Sequence, residues 1–228
     1  VLAGRTRWPR RRDPTLALLA RFAAGPGGRC AILTAVQLPR DLRRRLDAVD
    51  DALADPGPLR FAAVLAPLLP ADLEFGARLL LIERAANLRA HAGQLAFPGG
   101  KPEPGDRDLL DTALREAEEE VALPRAQIEV LGRLAPVPVP SGFMIVPFVG
   151  LVHGPWQPRI QDSEVKAILT PTLLELRDPA LYRFGGHHEW RGTQYELHEY
   201  RIHEPPLWGA TARMVFDLLA RLDRDAPP

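Results

Sequence analysis

The sequence predicts an α/β fold, a mixed β-sheet with helices laid on its faces. Two observations carry that expectation. Short apolar runs of strand length recur between Arg60 and Ile202, set off by Gly, Pro and polar residues. Two longer segments, residues 108–123 and 207–222, space their apolar residues at helical intervals instead. Over 228 residues, 46% hydrophobic content suffices for one domain with its own core plus an extension.

From the start of the chain, residues 1–12 hold five arginines and no acid and read as a solvated tail. Pro9 and the short length count against a transit peptide. Residues 16–24 form a short predicted helix, ended by Gly25-Pro26-Gly27-Gly28. Residues 1–36 are thus read as an extension, flexible or partly helical. Residues 37–57 read as a helical leader, with a charged helix over 40–54 that gathers Leu42, Leu46 and Val49 on one side. Asp55-Pro56-Gly57 closes it. The main domain is expected over 58–223, with a tail at 224–228.

Within that domain, residues 60–66 and 78–83 read as buried strands, separated by a loop around Leu69-Pro70-Ala71-Asp72. A short strand at 94–97 feeds Pro98-Gly99-Gly100. Further strands are expected at 128–134, 144–152, 164–169 and 194–202. The closing helix, 207–222, has apolar spacing at Leu207, Ala210, Met214, Leu218 and Leu222, and Trp208 and Phe216 are assigned to the core. Its apolar face, or that of 40–54, fits a homodimer interface as well as intrachain packing.

Charge and cysteine content narrow the function classes. Twenty-nine basic side chains balance 29 acidic ones, so no global charge draws the chain to nucleic acid or a membrane surface. No run of about 18 apolar residues is present to span a bilayer. Cys30 is the single cysteine and cannot form an internal disulfide, which fits a reducing, cytoplasmic setting. His187-His188, in a Gly-rich turn, lacks further Cys or His at zinc-ligand spacing.

The helix over 108–123 departs from what stability alone favours. Asp108 suits its N-cap, Pro124 ends it, and Leu109, Ala113, Ala117 and Val121, joined by Leu110 and Leu114, make an apolar face. Glu116, Glu119 and Glu120 fall at i, i+3 and i+4, on one separate patch. Like charges so spaced cost about 0.2–0.5 kcal/mol per pair. In the C-terminal half of a helix each also opposes the macrodipole, by roughly 0.3–1 kcal/mol. A solvated acidic face is one reading. A site for a hard divalent cation, which needs converging carboxylates and removes their repulsion, is the other.

The residues before the helix decide between them. Phe97-Pro98-Gly99-Gly100-Lys101, followed by Arg115-Glu116-Ala117-Glu118-Glu119-Glu120-Val121-Ala122-Leu123, resembles the Nudix box, G-x5-E-x7-R-E-U-x-E-E-x-G-U with U aliphatic. Two positions depart from it. Asp106 stands where the pattern has Glu, with a gap to Arg115 one residue longer, and Ala122 replaces a glycine. A second stretch, Leu80 to Gly100, resembles the signature of the coenzyme A diphosphatase branch, L-L-T-x-R-S-x-x-L-R-x-H-x-G-Q-V-x-F-P-G-G, with Ile82 and Ala85 replacing its Thr and Ser. The longer gap occurs in that branch too. Pro140-Ser141-Gly142-Phe143, Ser163-Glu164-Val165 and Leu207-Trp208-Gly209-Ala210-Thr211-Ala212 are also similar to it.

The resemblance implies an α/β/α sandwich with a mixed sheet and a loop–helix–loop catalytic motif. It implies Mg²⁺ or Mn²⁺ held by Glu116, Glu119, Glu120 and the Gly99 carbonyl, with Arg115 orienting Glu119. The implied reaction is hydrolysis of the diphosphate of coenzyme A to 4′-phosphopantetheine and adenosine 3′,5′-bisphosphate, the metal neutralising phosphate oxygens and activating water. Other nucleoside diphosphate derivatives, such as NADH or ADP-ribose, are the alternative substrates, and a non-catalytic binding module is a third reading, opposed by the intact carboxylates. Either Glu119 or Glu164 serves as general base, with Glu164 also a possible extra ligand. Arg84, Arg89, His91 and Lys101 flank the site. Arginine forks suit phosphate, although Arg84 and Arg89 also fit salt bridges within the loop. His91 fits a loop anchor better than a ligand for a hard cation.

Overall fold

The computed structural model describes Leu38 and residues 41–72, 76–87 and 91–223. The expectations placed on residues 1–36, on the first residues of the leader apart from Leu38, on Arg89 and on the tail at 224–228 lie outside the described residues. The chain runs through α1 (Leu42–Arg45), β1 (Arg60–Asp72), β2 (Gly76–Leu79), β3 (Leu81–Arg84), β4 (Leu95–Ala96) and β5 (Gly99–Gly100). Next come α2 (Leu109–Val121), a 3-10 turn (Arg125–Gln127), β6 (Ile128–Arg133), β7 (Val137–Val139), β8 (Phe143–Val152) and β9 (Val165–Leu169). The last elements are α3 (Leu173–Leu176), β10 (Tyr182–Trp190), β11 (Thr193–Tyr200), β12 (Leu207–Trp208) and α4 (Gly209–Leu222).

The main sheet is mixed. Its order is β2-β1-β8-β6, with β5 also on β1 and β7 also on β8. β1 and β8 run parallel, in register from Arg60–Phe143 to Leu68–Leu151, and the other described pairs are antiparallel. Side chains alternate along β1 as the pleat requires. Ala63 and Leu65 face Ala113, Ala117 and Val121 of α2. Val64, Ala66 and Leu68 face the opposite core, which holds Met214, Val215 and Leu218 of α4. The sheet therefore lies between two helical layers, as the sequence implied. Two smaller antiparallel sheets, β4-β3-β9 and β10-β11-β12, complete the fold.

Several local expectations are corrected. The predicted helix over 40–54 shrinks to one turn, because tertiary pairing outweighs helix propensity there. Leu46 is extended, and Asp47 exchanges backbone hydrogen bonds with Arg133 at 3.1 and 3.0 Å. Gly132 lets that segment in, since a Cβ there would stand 2.6 Å from the Leu46 Cβ. Arg45 is buried and donates to the Leu222 and Arg221 carbonyls at 3.1 and 3.3 Å, where a cation suits the C-terminus of α4. The expected loop at 69–72 is strand, with a register shift between Leu69 and Asp72 accommodating Pro70. The run at 78–83 divides at Leu80, so that β2 pairs with β1 while β3 pairs with β4 and β9. Its residues are buried on both faces, which is why an apolar run gave no sign of the break.

Near the C-terminus, His187 and His188 lie in strand β10 and not in a turn, because pairing with β11 continues past Gly185 and Gly186, where the register shifts by a bulge and Gly186 takes a φ of 89°. Trp208 and Phe216 are not core residues, being 51% and 37% exposed. The buried stripe of α4 runs instead through Ala212, Met214, Val215, Leu218, Leu219 and Leu222, which places Phe216 on its flank, stacked on His198. Among the described residues no helix is long and apolar enough to cross a membrane.

Candidate active site

Helix α2 begins where its sequence asks it to. The Asp108 carboxylate accepts the Asp111 N–H at 2.7 Å, an N-cap bond. The far end is closed by Ala122 in the left-handed region, at φ 53°, the position where the Nudix pattern has glycine. Incoming donors satisfy the last carbonyls. Trp156 Nε1 donates to Val121 and Ala122 at 3.2 Å each, and the Gln161 N–H donates to Glu120 at 3.1 Å. The same segment, running on into β9, carries Glu164 to the helix.

Three carboxylates converge there. Oxygens of Glu116, Glu120 and Glu164 all lie within 4.8 Å of one another. Glu120 is only 1% exposed. Its Oε2 accepts the Gly99 N–H at 3.0 Å, whereas its Oε1 has no hydrogen-bond partner and its nearest cation is Arg84 Nη1 at 4.0 Å. Burial, with Glu116 and Glu164 beside it, outweighs the Gly99 N–H and Arg84 and pushes its pKa up to about 8. Glu116 is raised as well, by burial and by Glu119 and Glu164, against the pull of Arg115. A buried carboxylate kept from its charged form, with an orphaned oxygen, is what a cation site looks like when the protein supplies too little positive charge. The donor set is all oxygen, which suits a hard divalent ion.

The strand β5 makes room for this group. Gly100 packs directly on Glu116, and a Cβ at that position would overlap its carboxylate. At Gly99 a Cβ would strike the backbone of Ala63 and Val64 on β1. These close approaches account for the paired glycines.

Arg115 borders the cluster and touches it at Glu116, whose Oε1 lies 3.2 Å from Nη1. It grips Asp106 through Nε and Nη2, at 2.9 and 3.1 Å, reaches Glu119 at 2.9 Å, and donates to the Lys101 carbonyl at 3.1 Å. The guanidinium holds the Asp106 carboxyl well below the usual carboxylate range, helped by the Glu103 N–H and the Thr112 hydroxyl. The shorter acid and the longer loop therefore still deliver a carboxylate to the arginine.

The sequence-derived residues separate into groups. Glu116 and Glu120 meet as expected, Glu164 joins them, and Glu119 stays outside the cluster, 52% exposed and paired with Arg115. Gly99 touches the cluster through its N–H. Arg84, on β3, faces Glu120, and its Nε has no hydrogen-bond partner among the described residues. His91 is exposed and bonds Gln94 at 2.8 Å, as a loop anchor does. The Lys101 ammonium turns away from the carboxylates, onto the Phe143 ring. Residue-by-residue reading missed Asp106 as the clamp on Arg115, although its place in the pattern marked it, and missed Trp156, for which local sequence held no signal. His187 and His188 join no metal-ligand cluster among the described residues.

Comparison with known proteins shows the family. Residues 59–188 match the family model described as NUDIX domain. A Nudix hydrolase of Photorhabdus laumondii named NudL is 38% identical over 159 residues, covering 70% of this chain and 83% of the relative. Its namesake in Yersinia pestis is 40% identical over 156 residues, 68% of this chain and 76% of the relative. Among solved structures, a MutT/nudix family protein of Enterococcus faecalis aligns with 76% of this chain and 64% of its own, at 18% identity and a TM-score of 0.47.

Proposed function

The chain belongs to the Nudix hydrolase family, whose members act on nucleoside diphosphate derivatives and generally use divalent ions such as Mg²⁺ or Mn²⁺, and from that premise we propose that it hydrolyses the diphosphate of coenzyme A or its derivatives. The observation that carries the chemistry is the convergence of Glu116, Glu120 and Glu164 around the unpartnered Oε1 of Glu120. Those three carboxylates, with the Gly99 carbonyl, would hold the ion. A divalent ion there supplies neutralisation of the phosphate oxygens and a more acidic attacking water.

The chain's own groups do the rest. Arg84, facing the buried carboxylate with an unpartnered Nε, binds a phosphate oxygen. With Glu164 in the ligand set, Glu119 is left to take the proton from water, and Arg115 holds its carboxylate beside the cluster at 2.9 Å. Positioning of this kind is most of what phosphoryl transfer requires. The choice of coenzyme A is supported by the run from Leu80 to Gly100, which builds β3, β4 and β5 and so supplies both Arg84 and the glycine strand.

Hydrolysis of coenzyme A is to be followed with and without Mg²⁺ or Mn²⁺, with products resolved by chromatography. Metal-dependent release of adenosine 3′,5′-bisphosphate, lost in Glu120→Gln, is the expected result. A folded, metal-binding protein that releases none would reject coenzyme A and turn the search to NADH, ADP-ribose and other nucleoside diphosphate derivatives.

A further inference from the structure

We propose that Arg60 and Lys101 form a second anion subsite, which receives a phosphomonoester carried one ribose away from the scissile diphosphate. This subsite rests on the coenzyme A reading above and names the group by which such a substrate would be told from its dephosphorylated analogue.

The two cations stand out by what they lack. Around α2, Arg107, Arg115 and Arg125 each grip a carboxylate. Arg60 and Lys101 pair with no carboxylate among the described residues, and both settle on one aromatic ring. The Arg60 guanidinium lies 4.6 Å from the centre of Phe143, and the Lys101 ammonium lies 5.5 Å from it. The ring's face attracts each cation weakly at an exposed site. Two positive groups on one ring, neither paired with a carboxylate among the described residues, gain from an anion that both contact. A phosphomonoester suits the pair, since the arginine fork takes two of its oxygens and the lysine adds a point charge.

Their position ties them to the catalytic carboxylates. Lys101 follows Gly100, which packs on Glu116, and the Lys101 carbonyl is held by Arg115 at 3.1 Å. Arg60 lies three residues before Ala63, the partner of Gly100 in the β1–β5 ladder, or about 10 Å of strand. Phe143 is the neighbour of Arg60 in the β1–β8 ladder. By the alternation of β1, Arg60 has the parity of Val64, so Arg60 and Phe143 stand on the sheet face away from α2, next to β5, whose two glycines add no side chain at that edge. The turn before Phe143 is fixed by a bond of 3.0 Å from the Arg60 N–H to the Gly142 carbonyl. That assigns a use to Pro140-Ser141-Gly142-Phe143, which catalysis at the box leaves unexplained.

The test pairs ligands that differ by the one phosphate. For the full chain, kcat/KM is measured on coenzyme A and on 3′-dephospho-coenzyme A. Binding of adenosine 3′,5′-bisphosphate and of adenosine 5′-monophosphate is measured by calorimetry, without turnover. The wild type is expected to favour the 3′-phosphorylated member of each pair by about tenfold or more, as a charge-assisted contact would give. Arg60→Ala and Lys101→Ala should each cut that preference severalfold, and Arg60→Lys should restore part of it. A wild type that binds both nucleotides alike, or variants that lower both members of each pair equally, would overturn the subsite. Should coenzyme A resist hydrolysis while the bisphosphate keeps an Arg60-dependent preference, the coenzyme A reading fails and the subsite stands. Metal-dependent coenzyme A hydrolysis with a preference indifferent to Arg60 and Lys101 has the opposite meaning: the coenzyme A reading stands and the subsite fails.

Discussion

Glu83 and Glu120 are both buried glutamates near the junction of the sheets, 3% and 1% exposed, and the protein treats them in opposite ways. Glu83, on β3, receives Lys166 Nζ at 2.7 Å on one oxygen and His203 Nε2 at 3.2 Å on the other. Burial pushes its pKa up, but those two partners outweigh it and hold the group below its ordinary value. Glu120 receives one backbone N–H, faces Arg84 only at 4.0 Å, and stands among other acids. Burial then wins, and its pKa rises to about 8. A carboxylate that the fold buries for stability comes with its counter-charges built in. One buried beside further carboxylates without them is set up for a cation that arrives with the chemistry.

The sharpest way to break this comparison is to neutralise each acid in turn. Glu120→Gln is expected to lower turnover roughly a hundred- to a thousandfold, the scale of losing one preorganised electrostatic group. The same change should leave the metal-free protein at least as stable as the wild type, because it removes an unpaired buried acid. Thermal unfolding in chelator beside steady-state kinetics with Mg²⁺ reads both halves. A stability loss matching the activity loss would mean that Glu120 is structural.

Acidity separates the two glutamates next. With a folded pKa of about 8 against an ordinary value of 4.5, Glu120 contributes stability that is fully present below 4.5 and lost as pH rises through 8. Glu83, with its pKa lowered, contributes stability that is present above 4.5 and lost as pH falls below it. Melting curves in chelator should therefore weaken from pH 5 to pH 8.5, and saturating Mg²⁺ or Mn²⁺ should recover that loss. At a concentration a hundred times the dissociation constant, binding stabilises by about 2.7 kcal/mol. A flat pH profile without metal would remove the case for Glu120 as an uncompensated acid.

Glu83→Ala is the counterpart and should act on stability. Removal of the carboxylate strands His203 and frees Lys166, at an expected cost of about 1–3 kcal/mol. Turnover by the folded fraction should stay within severalfold of wild type. Loss of activity without loss of stability would instead make Glu83 part of the site, through its neighbour Arg84.

The two residues also differ in how legible they were. Glu120 announced itself, because acids at i, i+3 and i+4 in the last half of a helix oppose both mutual repulsion and the helix dipole. Glu83 carried no such mark. Its partners lie 83 and 120 residues further along the chain, and only the pairing of β3 with β9 and the approach of the segment after β11 bring them in. The same physical divide runs through the fold. The periodicity within α2 and α4 and the apolar run of β8 are local and were readable, whereas the break at Leu80, the unwinding after Arg45 and the β10 strand are settled by distant neighbours. In the site, the box named Glu116 and Glu120. That Glu164, rather than Glu119, closes the cluster depends on how the segment after Trp156 wraps the end of α2.

That wrapping gives the smallest expected effect and the most local test. Trp156 donates one N–H to two carbonyls at the end of α2, and Gln161 donates to a third, on the stretch that delivers Glu164. Trp156→Phe keeps an aromatic body and removes only the donor. It should cost about 1 kcal/mol, the net worth of one hydrogen bond. If the cap helps to position Glu164, the variant should also need more Mg²⁺ or Mn²⁺ for half-maximal activity, with little change in turnover once the metal is saturating. A matched loss of stability with no change in metal requirement would confine Trp156 to holding the helix end, and would leave Glu164 positioned by its own backbone bond to Ala85 at 2.8 Å.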